Sequence, residues 1–68
     1  MRKLIRGRNQ NTFLRKDGSW TRDIARAEKF ADHAAAAAAK EEFNLQQVEL
    51  YYSFHHPEKS EYDFAITL

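Results

Sequence analysis

Near the start of the chain, the sequence Phe13-Leu14-Arg15-Lys16-Asp17-Gly18-Ser19-Trp20-Thr21 sets an Asp-Gly dipeptide between two groups of apolar and β-forming residues. Asp-Gly favours a tight turn because glycine adopts positive φ angles without a steric cost. The pattern therefore predicts a β-hairpin, and this hairpin is the element from which we place the rest of the chain.

Two registers are open for this hairpin. A two-residue loop would place Arg15 opposite Trp20, whereas a three-residue loop of residues 16–18, ending on a glycine at positive φ, places Leu14 opposite Trp20. We favour the three-residue loop because it brings two large apolar side chains together on the core side. It leaves Phe13 and Arg15 on the other side of the sheet.

The segment 23–43 has no glycine or proline, yet its large apolar residues argue against one continuous helix. At about 100° per residue, Ile24, Phe30 and Phe43 would point in three directions, so one core face could not bury all of them. We therefore predict a helical turn over residues 24–28, a break around Phe30 and Ala31, and a new helix after the break.

This new helix is predicted from His33 to Phe43. Asp32 is a suitable N-cap, and Asn44 is a suitable left-handed stop. Six consecutive alanines give the segment strong helix propensity but little apolar area. The predicted buried side consists of Ala35, Ala36, Ala39 and Phe43, and the predicted wet side of His33, Ala37, Lys40, Glu41 and Asn44.

Strands are predicted on both sides of the helix. Residues 3–7 and 12–16 are strand-like and are joined by a polar turn, so we expect them to pair. After the helix, large apolar residues recur with a period of two over 48–54 and over 62–68, and a loop at 55–61 contains Pro57. These two segments predict an antiparallel hairpin.

The predicted fold class is α+β, a single antiparallel sheet in the order β-β-β-α-β-β. The short helical turn and the alanine-rich helix are expected to pack on one face and to leave the other face wet. All 68 residues form one small domain, whose core supplies only about 3–5 kcal/mol.

Composition narrows the function classes. The chain has no cysteine, which excludes disulfides, thiolate metal sites and cysteine nucleophiles. Neither a signal-peptide pattern nor a long apolar segment occurs, so we expect a cytoplasmic protein that does not enter a membrane.

Charge is divided unevenly along the chain, although its formal net value is only +1. Residues 1–30 hold nine Lys and Arg against three acids, which gives +6, and residues 31–68 hold two against seven, which gives −5. Such a division indicates either a nucleic-acid surface or basic strands that lie beside acidic ones, and we favour the second for so short a chain.

No enzymatic or metal site is predicted. His55 and His56 lie near Glu58, but neighbouring residues of an extended segment point to opposite faces, and no spaced ligand pair completes a site. The carboxylates are scattered, and the chain has neither a phosphate-binding glycine loop nor a nucleophile pattern. We therefore expect no cofactor, no small-molecule substrate and no catalysis.

A basic set interleaved with an aromatic residue suggests a surface for single-stranded nucleic acid. Cationic side chains neutralise phosphates, and an exposed aromatic ring stacks on a base. The candidate residues are Arg6, Arg8, Phe13, Arg15 and Lys16. The alternative is a solvated face whose cations pair with acidic neighbours.

Association with a protein is the leading prediction. Alternation places Phe13 and Tyr51 away from the helix, so an apolar patch on the open sheet face, or an unpaired last strand, would suit a partner. We expect a non-catalytic binding or accessory module that associates with itself or with another protein, and nucleic-acid binding is the second hypothesis.

Part of the chain resembles a pattern seen in small bacterial and phage-type proteins of uncharacterised function. The pattern consists of Phe13-Leu14, Asp17-Gly18, Trp20-Thr21, Asp23, Ala27 and Phe30 ahead of a capped alanine-rich helix. It covers less than half of the chain. The resemblance implies a shared hairpin-helix core and carries no activity or functional residue with it.

Overall fold

A computed structural model of the chain describes residues 2–8, 10–53 and 64–68. In this part of the chain, the strands are β1 (Arg2–Gly7), β2 (Phe13–Leu14), β3 (Trp20–Thr21), β4 (Val48–Ser53) and β5 (Phe64–Thr67), and a 3-10 turn (Ile24–Arg26) and helix α1 (His33–Glu42) lie between β3 and β4. The described strands form one antiparallel sheet in the spatial order β3-β2-β1-β4-β5. The predicted α+β class with a single sheet is confirmed.

The hairpin between β2 and β3 has the predicted three-residue loop. Leu14 pairs with Trp20, the Arg15 N–H donates to the Ser19 carbonyl at 2.7 Å, and the Gly18 N–H donates to the Arg15 carbonyl at 3.0 Å. Gly18 has a φ of 89°, which a glycine adopts without strain. The predicted register is therefore confirmed.

The expected burial of Trp20 is wrong. Leu14 is 1% exposed, but its cross-strand neighbour Trp20 is 41% exposed. The physical reason is the position of β3 in the sheet, because among the described strands β3 pairs with β2 alone.

The predicted break between the helical turn and the helix is confirmed. Asp23 accepts a hydrogen bond from the Ala25 N–H at 3.0 Å and begins the 3-10 turn. Asp32 accepts one from the Ala35 N–H at 2.8 Å and caps α1. Asn44, with a φ of 53°, follows the helix in the left-handed conformation that was expected of it.

Two apolar clusters occupy opposite faces of the sheet. On the face that carries α1, the fully buried residues are Ile5, Leu14, Ala36, Val48 and Leu50. On the opposite face, the cluster consists of Leu4, Phe13 and Ala27, with Ile24 and Tyr51 packed against it. The expectation of a wet second face is therefore wrong, and so is the placement of the helical turn beside the helix, because Ile24 of the 3-10 turn packs on the face opposite to α1.

The chain changes face between Ala27 and Phe30. The Glu28 N–H donates to the Leu14 carbonyl at 2.9 Å, and the Phe30 N–H donates to the Lys3 carbonyl at 2.8 Å. Ala27 belongs to the second cluster, whereas Phe30 packs against the main one. Leu14 belongs to β2 and Lys3 to β1, so the crossing segment is held by backbone carbonyl groups of both strands.

The burial of α1 follows the predicted pattern only in part. Ala36 is buried, Ala35 and Ala39 are half-buried, and His33, Glu41 and Asn44 are exposed as expected. Phe43, expected in the core, is 36% exposed, because it lies past the end of the helix against the hairpin turn. Ala37 and Lys40, expected on the wet side, are half-buried.

The last two strands pair antiparallel as predicted, with Leu50 opposite Ile66 and Tyr52 opposite Phe64. The predicted loop at 55–61 and the strand ends at Phe54 and Tyr62 lie outside the described residues. The pairing of β1 with β4, over the whole length of both strands, joins the two halves of the chain.

Candidate functional site

Strand β5 places two large apolar side chains at the border of the sheet. Phe64 is 47% exposed and Ile66 is 45% exposed, and both lie on the face that carries α1. One strand further inward, Leu50 is fully buried. The helix therefore covers this face as far as β4 and leaves β5 open.

The ring of Phe64 is stacked on that of Tyr52, with centroids 4.5 Å apart and an angle of 13° between the planes. Cross-strand aromatic pairs of this kind stabilise a sheet and hold both side chains in one orientation. The apolar surface of β5 is consequently a preorganised feature of the fold.

The backbone of β5 also offers hydrogen-bonding groups at the border. The Leu68 N–H donates to the Val48 carbonyl at 3.4 Å. Hydrogen-bonded and non-hydrogen-bonded pairs alternate along an antiparallel ladder, so the backbone groups of Ile66 and Phe64 also point towards β4. The backbone groups of Ala65 and Thr67 therefore point outward, and among the described residues no further strand lies beside them.

The two borders of the sheet differ in length. At one border, β3 is two residues long and is followed directly by Arg22. At the other, β5 covers Phe64–Thr67 and is preceded directly by Asp63. Short length protects a strand from pairing with another chain, so β5 is the border better suited to association.

Phe13 and Tyr51, the residues predicted to bind protein, do not form an open patch. Phe13 is 8% exposed and Tyr51 is half-buried. Their rings meet edge to face, with centroids 5.6 Å apart at 61°. The prediction of Phe13 as an outward side chain is wrong, because the segment after β3 places Ala27 and Ile24 on this face.

Arg6 is already bound within the fold. Its Nε donates to Glu49 Oε1 at 2.7 Å, a terminal guanidinium nitrogen lies 2.5 Å from the same oxygen, and the guanidinium carbon lies 4.3 Å from the centre of the Tyr51 ring. Arg6 and Glu49 are cross-strand partners on β1 and β4. This ion pair joins the basic half of the chain to the acidic half.

The remaining basic residues predicted to bind nucleic acid are exposed but separate. Arg8 follows β1, whereas Arg15 and Lys16 lie at the turn of the β2–β3 hairpin. Phe13 cannot stack on a base because it belongs to the second apolar cluster. The geometry does not gather the predicted set into one surface.

The exposed aromatic residue of the β2–β3 hairpin is Trp20, which we expected in the core. It shares its hairpin with Arg15 and Lys16, and Arg22 follows one residue after β3. The signal for its exposure was a short strand followed directly by the cationic residue Arg22, because such a strand is typical of a sheet border. A groove between this hairpin and the end of α1 is lined by Leu14, Arg15, Lys16, Glu28, Phe30, Ala39, Glu42 and Phe43.

In the hairpin turn, the carboxylate of Asp17 is bound by the neighbouring residue Ser19. The hydroxyl of Ser19 donates to Asp17 Oδ1 at 2.6 Å, and the Ser19 N–H donates to the same oxygen at 3.0 Å. These bonds, the one from the hydroxyl first, lower the pKa of Asp17 below its ordinary value. Asp17 thus stabilises the turn.

Metal-binding residues do not gather in the part of the chain that the structure describes: no group of three or more His, Asp or Glu side chains meets there. His55, His56 and Glu58 lie outside that part. Among the described helices, none is long and apolar enough to cross a membrane.

Comparison with known proteins gives no match to a protein family, to a curated protein or to a solved structure.

Proposed function

We propose that this chain is a non-catalytic protein-interaction module that associates through strand β5. The observation that carries the proposal is the near-half exposure of Phe64 and Ile66 on β5, which is the last strand at one side of the sheet that the described residues form. This site replaces the face of Phe13 and Tyr51, where the second cluster lies.

A strand of this kind supplies two forms of recognition at once. The outward backbone groups of Ala65 and Thr67 can extend the hydrogen-bonded ladder to an added strand, and the exposed side chains give apolar contact on one face. Fully burying a side chain of this size contributes about 1.5–3 kcal/mol. Association would therefore add to the low stability that the small core of so short a chain provides.

The test compares two lysine variants of neighbouring residues. Ile66→Lys places a charge on the apolar face of β5, whereas Thr67→Lys places the same charge on the opposite face of the same strand. Self-association is measured by sedimentation velocity over a range of concentrations, and binding to other proteins by capture on the immobilised chain. Circular dichroism verifies that both variants are folded.

We expect Ile66→Lys to abolish association and Thr67→Lys to retain most of it. An association that is equally strong in both variants would contradict the proposal, as would a chain that associates with nothing at any concentration.

Single-stranded nucleic acid is a second candidate ligand, favoured by the exposure of Trp20 on a hairpin with Arg15 and Lys16. Trp20 is the only tryptophan, so its fluorescence reports directly on stacking. We expect short oligonucleotides to quench it, with an affinity that falls steeply with salt and decreases in Arg15→Ala. Arg6→Gln serves as the control, since Glu49 holds that guanidinium. Unchanged fluorescence, or binding indifferent to salt, would rule out this candidate.

A further inference from the structure

We propose that a pocket between the β1–β2 turn and the end of β3 binds the phosphate group of a nucleotide whose base stacks on Trp20. The inference rests on the second candidate function, to which it adds a phosphate site outside the predicted basic set, and it is independent of association through β5. The pocket has a volume of about 450 Å³ and is lined by Gln10, Asn11, Thr12 and Arg22.

The pairing of β2 with β3 explains why these side chains meet. Continued by one residue beyond the two strands, it sets Thr12 opposite Arg22. The turn that carries the rest of the lining is fixed by its backbone, because the Gly7 N–H donates to the Thr12 carbonyl and the Gln10 N–H donates to the Gly7 carbonyl, both at 3.0 Å. A ligand therefore meets a turn that is already ordered, which lowers the entropic cost of binding.

The chemistry of the lining suits a phosphate group. The guanidinium of Arg22 can bind two phosphate oxygens in parallel. Thr12 Oγ1 donates to Gln10 Oε1 at 3.3 Å, which occupies the amide oxygen of Gln10 and leaves its two N–H donors for a ligand. Asn11 supplies a second side-chain amide. Arginine, asparagine and glutamine are all side chains that bind nucleic-acid phosphates.

The charge of Arg22 is available to a ligand. No carboxylate among the described residues lies within ion-pair distance of it. Asp23, its neighbour in the sequence, instead caps the 3-10 turn and lies 3.6 Å from Arg26 Nε. The groove between the hairpin and α1 differs in this respect, because Glu28 and Glu42 line it and would repel a phosphate.

Trp20 supplies the second contact. It lies two residues before Arg22, and at about 3.3 Å per residue of strand their Cα atoms are about 6–7 Å apart on the same side of the hairpin. A nucleotide carries its base and its phosphate on either side of one sugar, so one ligand can reach both residues. Because stacking on an aromatic ring tolerates any base, the ligand class is a nucleotide, either free or within a single strand.

The test follows Trp20 fluorescence while adenosine, adenosine monophosphate or a short oligoadenylate is added at low salt to the parent chain, Arg22→Gln and Arg26→Gln. Arg26→Gln is the matched control, because it removes the same charge from the 3-10 turn, whose Ile24 packs on the opposite face of the sheet. NMR follows the side-chain amide signals of Gln10 and Asn11 in the same titrations, and circular dichroism verifies that both variants are folded.

We expect the two phosphorylated ligands to quench Trp20 and to shift the amide signals of Gln10 and Asn11, and adenosine to bind much more weakly. Arg22→Gln should lower the affinity for the phosphorylated ligands at least about tenfold, and Arg26→Gln less than about twofold. Equal affinities for the monophosphate and the oligoadenylate would identify the ligand as a free nucleotide, whereas tighter binding of the oligoadenylate would identify it as a single strand.

Equal affinities in Arg22→Gln and Arg26→Gln would overturn the inference, as would adenosine that binds as tightly as its monophosphate. If the oligoadenylate quenches Trp20 and both variants bind it equally, the second candidate function stands without this pocket. If none of the three ligands quenches Trp20, the inference and the second candidate function fail together, and association through β5 is unaffected.

Discussion

Phe43 lies against the backbone of Gly18, so closely that a Cβ atom built on Gly18 would be 2.9 Å from Phe43 Cε1. Gly18 ends the hairpin loop, and Phe43 ends the alanine-rich helix. The hairpin and the helix are each recognisable in the sequence, but the contact between them is not. Glycine is favoured at this position by its φ of 89° and by the closeness of the Phe43 ring.

Replacement of Gly18 by alanine should therefore destabilise the protein for two separable reasons. The left-handed conformation costs about 1–2 kcal/mol for a residue with a Cβ atom, and the contact with Phe43 adds to that cost. Thermal or chemical denaturation of Gly18→Ala, Phe43→Ala and the double variant measures both parts. Gly18→Ala should cost less in the Phe43→Ala background, and an equal cost in both backgrounds would show that the ring does not contribute.

The cross-strand pair of Leu14 and Trp20 predicts unequal effects of truncation. Leu14→Ala removes a fully buried side chain and should lower the free energy of unfolding by about 2–5 kcal/mol, enough to unfold so small a domain. Trp20→Ala should cost less because Trp20 is 41% exposed, whereas Leu14 is 1% exposed. Urea denaturation followed by circular dichroism measures both, and equal losses would contradict the burial described here.

The ion pair between Arg6 and Glu49 should contribute a measurable coupling energy. Both side chains are partly buried and are joined by two short contacts to one carboxylate oxygen. A double-mutant cycle with Arg6→Met and Glu49→Gln should give a coupling of about 0.5–1.5 kcal/mol, with only a modest decrease in high salt. Zero coupling at low salt would show that the pair does not join β1 to β4 energetically.

Asp17 should titrate below the ordinary range for an aspartate, as the bonds from Ser19 lower its pKa. A lowered pKa in the folded state stabilises the protein above the ordinary aspartate value, and this contribution is lost as the pH falls through the lowered value. Ser19→Ala removes the hydroxyl and leaves the amide donor. We expect it to raise the pKa of Asp17 in an NMR titration of the carboxyl carbon, and an unchanged pKa would exclude the hydroxyl as the main cause.

Locally encoded features of the fold were predictable. The loop of the first hairpin follows from the conformational freedom of Gly18, and the start of α1 follows from the capping side chain of Asp32. The alternation over β4 and β5 predicted their pairing without any knowledge of the rest of the chain. Each of these depends on dihedral preferences or hydrogen bonds between residues close in sequence.

The candidate site was predictable only in kind. The sequence indicated association through a sheet face or a border strand. The two residues predicted to bind a protein, Phe13 and Tyr51, lie on the face with the second cluster. Phe64 and Ile66 were assigned to an apolar face that was expected to be covered. Alternation tells which side chains share a face of a strand, and it does not tell where in the sheet that strand lies.

Local geometry encodes the hairpin turn, the capped helix and the alternation along the strands, so these features could be predicted from the residues alone. The pairing of β1 with β4 and the passage of the chain from Ala27 to Phe30 between the two faces depend on contacts between segments far apart in the sequence. This pairing and this crossing determine which side chains are buried, since a side chain is covered only when a distant segment packs on it. They placed Phe13 in a core and left Ile66 at the border of the sheet.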